Sequence, residues 1–304
     1  MQLGFVSAIL HDLTLEQVLQ FAAAEHFDCV ELMSWPVGKA ERKYAGVTHV
    51  DATQFSQAQA EEVLALTERY GVAISGLGYY PNLLDADAQA ASAAREHLKK
   101  VIRAARRLNL PVVNTFIGAN HHRNDEENFA EFLKVWPGLI RLAEEQGIRI
   151  GIENCPMFFT YDEWPSGKNL AHSPALWRRM FKAIPSRCFG LNYDPSHMVW
   201  QQMDWIKPLK EFARRLYHIH AKDVLLLGDR LNDVGILATP LQYHLPRIPG
   251  FGEIDWGRFI GALKEVGYDG PVCIEVEDET FGRSLEGRKN ALRVARNVLR
   301  PFIA

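Results

Sequence analysis

The strongest constraint on this chain is an alternation that repeats from end to end: a short apolar run, then an amphipathic stretch, eight times over. Runs rich in Val, Ile and Leu predict strands at residues 2–7, 29–33, 72–78, 111–117, 148–154, 188–193, 216–220 and 272–277. Such near-continuous apolar runs suit strands buried on both faces of a parallel sheet. Between them, helices are expected at 14–25, 55–70, 88–108, 125–146, from Ser173 with Pro174 in its first position, 205–214, 255–266 and 284–301. Gly71, Gly147 and Gly267 each stand where a helix must stop in a left-handed cap before the next strand. Strand-helix alternation implies right-handed crossovers and a parallel sheet. Eight such units, with no linker or shift of composition, predict an α/β fold in one domain over residues 1–304, a single (β/α)8 TIM barrel.

Composition narrows the partners. Hydrophobic residues make up 47% of the 304, enough for a large core. Basic and acidic side chains number 34 and 37, so the net charge is −3, with no electrostatic case for nucleic acid or a membrane surface. Cys29, Cys155, Cys188 and Cys273 lie in or beside apolar runs without a CxxC pair, as buried thiols in a reducing compartment do. The opening residues lack a basic n-region, and no apolar run approaches the ~20 residues that span a bilayer. A cytoplasmic protein is expected.

Glu153, Asp194, His220 and Glu275 stand where the fifth to eighth strands end. A strand-end carboxylate taken alone is usually structural, and a lone strand-end histidine is often a hydrogen-bonded core residue. Four ligand-type residues on successive strands of one barrel argue instead for a single metal centre at its C-terminal mouth. Three carboxylates and an imidazole suit Mn, Mg or Co better than a thiolate-rich set would. His197, three residues after Asp194, is placed to contact substrate or to support a ligand, and Asp223 and Glu277 are expected to brace ligands from behind. Lys222 reads as solvated or locally paired. Asn114, Asn82, His121, Glu31 and the aromatic residues Trp35, Tyr79, Tyr80, Trp164 and Phe251 are pocket candidates. The irregular stretches 155–172 and 224–253 fall at the same face, where loops form lids and binding walls.

The segments IEN, NYDPSH, HIHAKD and IEVED, in this order, resemble the sugar isomerase/epimerase group of xylose isomerase-like TIM barrels along the whole chain. The resemblance implies that Glu153, Asp194, His220 and Glu275 bind one divalent ion, manganese first, with Mg, Co or Zn as alternatives. It also implies that Glu153 and Glu275 double as acid and base. The segment from Arg247 to Trp256 resembles the family's turn before the last helix, and Arg247 is placed to reach a substrate hydroxyl or phosphate. The chemistry expected is an isomerase or epimerase of a small sugar or keto-polyol, passing a proton between two Glu through a metal-stabilised enediolate. Its alternatives are a lyase or dehydratase on a keto-sugar or keto-inositol, and a non-catalytic sugar-binding barrel. A homo-oligomer is expected by analogy. The chain departs from the apurinic endonuclease branch, whose extra histidines are replaced by Tyr79-Tyr80 and Asn114-Thr115-Phe116. It also departs from ketose 3-epimerases, which usually carry an Arg soon after the histidine matched by His220.

Overall fold

A computed structural model describes residues 1–38, 45–164 and 167–303. The strands are β1 (Gln2–Val6), β2 (Cys29–Met33), β3 (Ala73–Gly78), β4 (Val112–Thr115) and β5 (Arg149–Glu153), followed by β6 (Phe189–Tyr193), β7 (Leu216–Ala221), β8 (Asp223–Leu226), β9 (His244–Arg247) and β10 (Pro271–Ile274). Eight of them, β1 to β7 and β10, are parallel and close into a barrel in sequence order, β10 lying between β7 and β1. Their residues are almost all buried, as the continuous apolar runs require. The short β8 and β9 form a separate antiparallel hairpin on the C-terminal side of β7.

Helices fill the crossovers: α1 (Leu15–Ala24), α2 (Gln57–Tyr70), α3 (Ala88–Arg107), α4 (Asp125–Gln146), α5 (Pro174–Ala183), α6 (Ser196–Val199), α7 (Lys207–Glu211), α8 (Gly228–Val234), α9 (Trp256–Glu265) and α10 (Leu285–Leu299). Reciprocal side-chain caps start α1, α2 and α4, at Thr14 with Gln17, Ser56 with Gln59 and Asn124 with Glu127. Gly71 and Gly147 end α2 and α4 with φ of 63° and 67°, the left-handed cap that glycine adopts without strain. Buried Trp136 and Trp177 fill the layer between sheet and helices, and each indole N–H donates to a backbone carbonyl, of Ile117 at 3.2 Å and of Ala171 at 2.7 Å.

Two expectations change. The helix expected at 205–214 is the shorter α7 followed by a single 3-10 turn at Ala213–Arg215. The chain turns at Phe212, whose ring packs edge-on against Trp177 at 5.4 Å. The stretch 224–253, read as irregular, holds β8, α8 and β9, because pairing of Asp223–Leu226 with His244–Arg247 satisfies its backbone.

Pairing is regular except at two places that bear on the site. The register shifts between Val30 and Glu31 in β2, where it pairs with β3, and between Leu191 and Asn192 in β6, where it pairs with β7. Such irregularities re-aim a side chain. Here Glu31 and Asn192 both turn into the barrel beside His220.

Candidate metal centre

The C-terminal ends of β5, β6, β7 and β10 are neighbours round the barrel. Glu153, Asp194, His220 and Glu275 stand at or just beyond them and converge. His220 Nδ1 lies 3.8 Å from Glu153 Oε1 and 3.5 Å from Glu275 Oε2. Asp194 Oδ2 joins them through Lys222 Nζ, 3.1 Å away, which also donates to Glu275 Oε2 at 2.8 Å. Two trios, Glu153–His220–Glu275 and Glu153–Asp194–His197, each offer ligand atoms within 4.8 Å of one another and share Glu153.

Carboxylates so close together repel, and burial disfavours their charge. Burial and Glu275 both raise the Glu153 pKa, yet His197 and His220 outweigh them and hold it at about 2. Burial likewise raises Glu275, but Lys222 and His220 bring it well below the usual carboxylate range. For His220, burial favours the neutral ring, while Glu31 and Glu275 carry its pKa well above the ordinary value. Lys222 is only 4% exposed and is held charged by Asp194, Glu275 and Glu277 against the same burial. In this arrangement the chain's own cations balance the cluster.

The two imidazoles differ in what they can ligate. Trp200 Nε1 has only a proton to give, and it donates to His197 Nδ1 at 3.1 Å. With Nδ1 taken by Trp200, His197 turns Nε2 to the cluster, where it faces Lys222 Nζ at 3.1 Å, Asp194 Oδ2 at 3.3 Å and Glu153 Oε1 at 3.4 Å. In His220 the polarity is reversed: Nε2–H donates to Glu31 Oε2 at 2.7 Å, so Nδ1 is free to point at Glu153 and Glu275. That is the carboxylate-histidine arrangement that prepares a metal ligand.

Behind His220 lies a closed network. Glu31, fully buried, accepts from Tyr80 OH at 2.5 Å as well as from His220. Asn192 Nδ2 donates to Tyr80 OH at 3.0 Å, and Asn192 Oδ1 meets His218 Nδ1 at 3.0 Å. Burial raises the Glu31 pKa, but His220 and His218 overcome it and keep the group ionised. Gly78 leaves room for this carboxylate, since a Cβ there would stand 2.5 Å from Glu31 Oε1.

Two atoms test whether the residues fit a cation. His220 Nδ1 and Asp194 Oδ2 are buried, face the cluster and make no hydrogen bond of good geometry, Asp194 Oδ2 having only ion-pair contacts to Lys222 and His197. With the carboxylates of Glu153 and Glu275 they form a hard oxygen-rich donor set with one imidazole, which suits a divalent ion.

The remaining candidates divide. Glu277 meets Lys222 Nζ at 3.2 Å, and Trp35 stands on the wall of a chamber of about 260 Å³ above Glu153, Lys222, Glu275 and Glu277. Tyr80 lines this chamber, whereas Tyr79 turns outward to pack on Trp35 and His97 at 4.9 and 4.7 Å. Asn114 is buried in the barrel and its amide has no hydrogen-bond partner. Arg247 donates to Asp278 and Thr280 at 3.2 and 3.0 Å and is absent from the chamber wall. Asp223 holds the following loop rather than the cluster. Phe251 and Trp164 are about half exposed, and Asn82 binds Asp85 and the Ala119 carbonyl.

Sequence reasoning passed over His218, Asn192 and the central position of Lys222. The signal was present: His218, His220 and Lys222 alternate with period two along β7 and one residue past it, as do Asn192 and Asp194 at the end of β6, so each set shares an inward face.

A parallel eight-stranded βα barrel with a histidine-carboxylate cluster at the C-terminal strand ends defines the class. The model of the Xylose isomerase-like TIM barrel family matches residues 19–301, and the chain belongs to that family. YfiH of Bacillus subtilis, an uncharacterised protein, is 23% identical, covering 92% of this chain and 94% of its own. Among solved structures, the IolI protein with a bound zinc atom has a TM-score of 0.72 at 16% identity, covering 99% of each chain. The probable 3-DHS dehydratase AsbF of Bacillus anthracis has 0.71 at 14%, again over 99% of each chain. D-psicose 3-epimerase of Clostridium cellulolyticum H10, solved with D-tagatose, has 0.69 at 15%, covering 100% of this chain and 99% of its own. No described helix is long and apolar enough to cross a membrane.

Proposed function

We propose that the protein is a divalent-metal-dependent isomerase or epimerase of a small sugar or keto-polyol, with Glu153, Asp194, His220 and Glu275 holding the ion. The observation that carries this reading is the approach of Glu153 and Glu275 to one nitrogen, His220 Nδ1, at 3.8 and 3.5 Å on the chamber floor. When bound, the ion supplies a Lewis acid for the negative charge that grows beside the substrate carbonyl.

The chain's own residues do the rest. One of Glu153 and Glu275 removes the proton next to the carbonyl, and the other returns one to the resulting enediolate. Return to the opposite face of the same carbon epimerises, and return to its neighbour isomerises. His197 Nε2 stands among Glu153, Asp194 and Lys222 and helps to position them. Glu31 keeps Nδ1 of His220 turned to the cluster. The metal's identity follows from the donor set only as far as a hard or borderline divalent ion, with manganese first in this reading and zinc the ion seen in IolI.

A second reading has its own observation. Lys222 is a buried ammonium on the chamber wall, within 2.8 Å of Glu275. It is placed to protonate a departing β-hydroxyl, which would turn the same enediolate chemistry into dehydration. The structural neighbours include both an epimerase and a probable dehydratase.

The test is solvent-deuterium uptake, followed by NMR, into a panel of ketoses and keto-inositols with chelated protein and with protein restored in Mn or Mg. Metal-dependent exchange beside the carbonyl is expected, and the product distinguishes isomer from dehydrated species. Glu153→Gln and Glu275→Gln should each slow exchange by roughly 10²- to 10⁴-fold. Exchange at the wild-type rate in both variants would rule out the two-carboxylate mechanism. Retained ligand binding with no exchange in the wild type would favour the non-catalytic barrel.

A further inference from the structure

The chamber above the cluster carries its charged side chains in one group, Glu153, Lys222, Glu275 and Glu277. Its wall also holds Val6, Ile9, Met33, Phe116, Met157 and Phe159, whose side chains offer no hydrogen-bond partner to a sugar hydroxyl beyond weak sulfur acceptors. Among the described residues, the polar side chains left on the wall are Trp35, with one indole N–H to donate, Tyr80 and Cys155. Tyr80 OH is already committed to Glu31 and Asn192. A free polyol carries a hydroxyl on nearly every carbon, and beyond the single indole N–H of Trp35 this wall gives such hydroxyls little to replace their water.

The chamber also does not end at its own wall. Trp35, Ala45, Phe116 and Met157 line it and equally line a second cavity of about 690 Å³, running outward along α3. This groove is bounded by Pro36, Val37, Pro81, Ala90 and Ala94, with Asn82, Asp85, Glu163 and Lys168 on the same wall and Lys168 Nζ 3.9 Å from Glu163 Oε1. Its polar members are tied to one another or to backbone. Asn82 holds Asp85 and Ala119, and Glu163 accepts from the amides of Phe159 and Thr160 at 2.5 and 2.9 Å. At about 260 Å³ the inner chamber alone falls below the ~300–1,000 Å³ typical of ligand sites, and the two cavities together reach that range.

We infer that the substrate is a keto-sugar or keto-polyol bearing an apolar, ring-sized substituent. The carbonyl and its neighbouring hydroxyl sit on the charged floor. The substituent passes the collar of Trp35, Phe116 and Met157 into the groove beside α3. The inference rests on the reading of the carboxylate-lysine floor as the polar subsite, and it is tested separately from proton transfer.

The probes are methyl and phenyl 3-keto-β-glucoside, which share a head and differ only in the substituent. Each is titrated calorimetrically into Mn-loaded protein. The phenyl compound is expected to bind at least about tenfold more tightly. Ala90→Trp, which fills the groove, and Phe116→Ala, which opens the collar, should each bring that ratio close to one. Equal affinities, a tighter methyl compound, no binding of either, or a preference that survives both substitutions would overturn the inference. Deuterium uptake is followed on the same samples. A phenyl preference without exchange leaves this inference standing and sinks the proton-transfer reading. Exchange without a preference does the reverse.

Discussion

His197 and His220 bring the same side chain to the same cluster, and a neighbour decides what each can do there. Trp200 can only donate, so it occupies Nδ1 of His197 and leaves Nε2 to the cluster. Glu31 can only accept, so it holds Nε2–H of His220 and turns Nδ1 to the cluster. A prediction follows at this scale. Glu31→Gln retains an acceptor for Nε2–H but loses the charge, and metal affinity measured against a fluorescent chelator should fall about 10- to 100-fold. Glu31→Ala should fall further while the far-UV spectrum of the folded chain persists. Unchanged affinity in both would remove Glu31 from the site. The four candidate ligands were legible in the sequence because each ends or follows an apolar run. Glu31 was visible only as a weak candidate, since its partner His220 is 189 residues away and the contact crosses the barrel interior. Local pattern carries no information about such a pair, whereas the period-two spacing of His218, His220 and Lys222, which the sequence reading passed over, was a local signal.

At the scale of elements, the hairpin of β8 and β9 leads into the turn before α9, and one carboxylate holds the two together. Asp223 Oδ1 accepts from the amides of Val224 and Ile254 at 2.9 and 3.1 Å, and Oδ2 from Gly250 N and Trp256 Nε1 at 3.0 and 2.9 Å. All four partners are donors, so an amide in its place would set an N–H against N–H groups. Asp223→Asn should therefore cost about 1–3 kcal/mol of unfolding free energy, measured by chemical denaturation. The loss should be accompanied by faster amide exchange at residues 250–256. Stability equal to the wild type would contradict the assignment. Sequence reading expected Asp223 to brace a ligand, because an acidic residue one place after Lys222 looks like part of the site. Its direction was hidden by the turn from β7 into β8, which reverses the chain's neighbours within two residues. The hairpin itself was missed because its strands are four residues long and interrupted by Pro246.

At the scale of the whole molecule, the barrel was the most legible part, since alternation of strand and helix is written into every segment. Left-handed caps at Gly71 and Gly147 fell where the pattern required them. The four candidate ligands stand at or just beyond the ends of β5, β6, β7 and β10, which are consecutive round the wall. An ion held there ties half the circumference together, so binding should stabilise the entire fold. At metal near 100 times its Kd the gain is about 2.7 kcal/mol. We expect a Tm higher by several degrees in Mn than in chelator by scanning calorimetry, and no such rise in Glu275→Gln. A Tm indifferent to metal in the wild type would contradict a site spanning these strands.

The chamber wall divides along the same line. Val6, Ile9, Met33, Trp35 and Phe116 come from β1, β2 and β4 or the segments that follow them, and the charged floor comes from the opposite half. In the proposed reading one semicircle carries the reacting groups and the other most of the apolar wall, with Met157 and Phe159 joining it from the segment after β5. Substitutions in the apolar half would then leave the proposed proton-transfer groups across the barrel in place. A lineage built on this plan is free to exchange substrates quickly while keeping its chemistry, with Glu31 in β2 as the point where drift in the wall reaches the reacting groups.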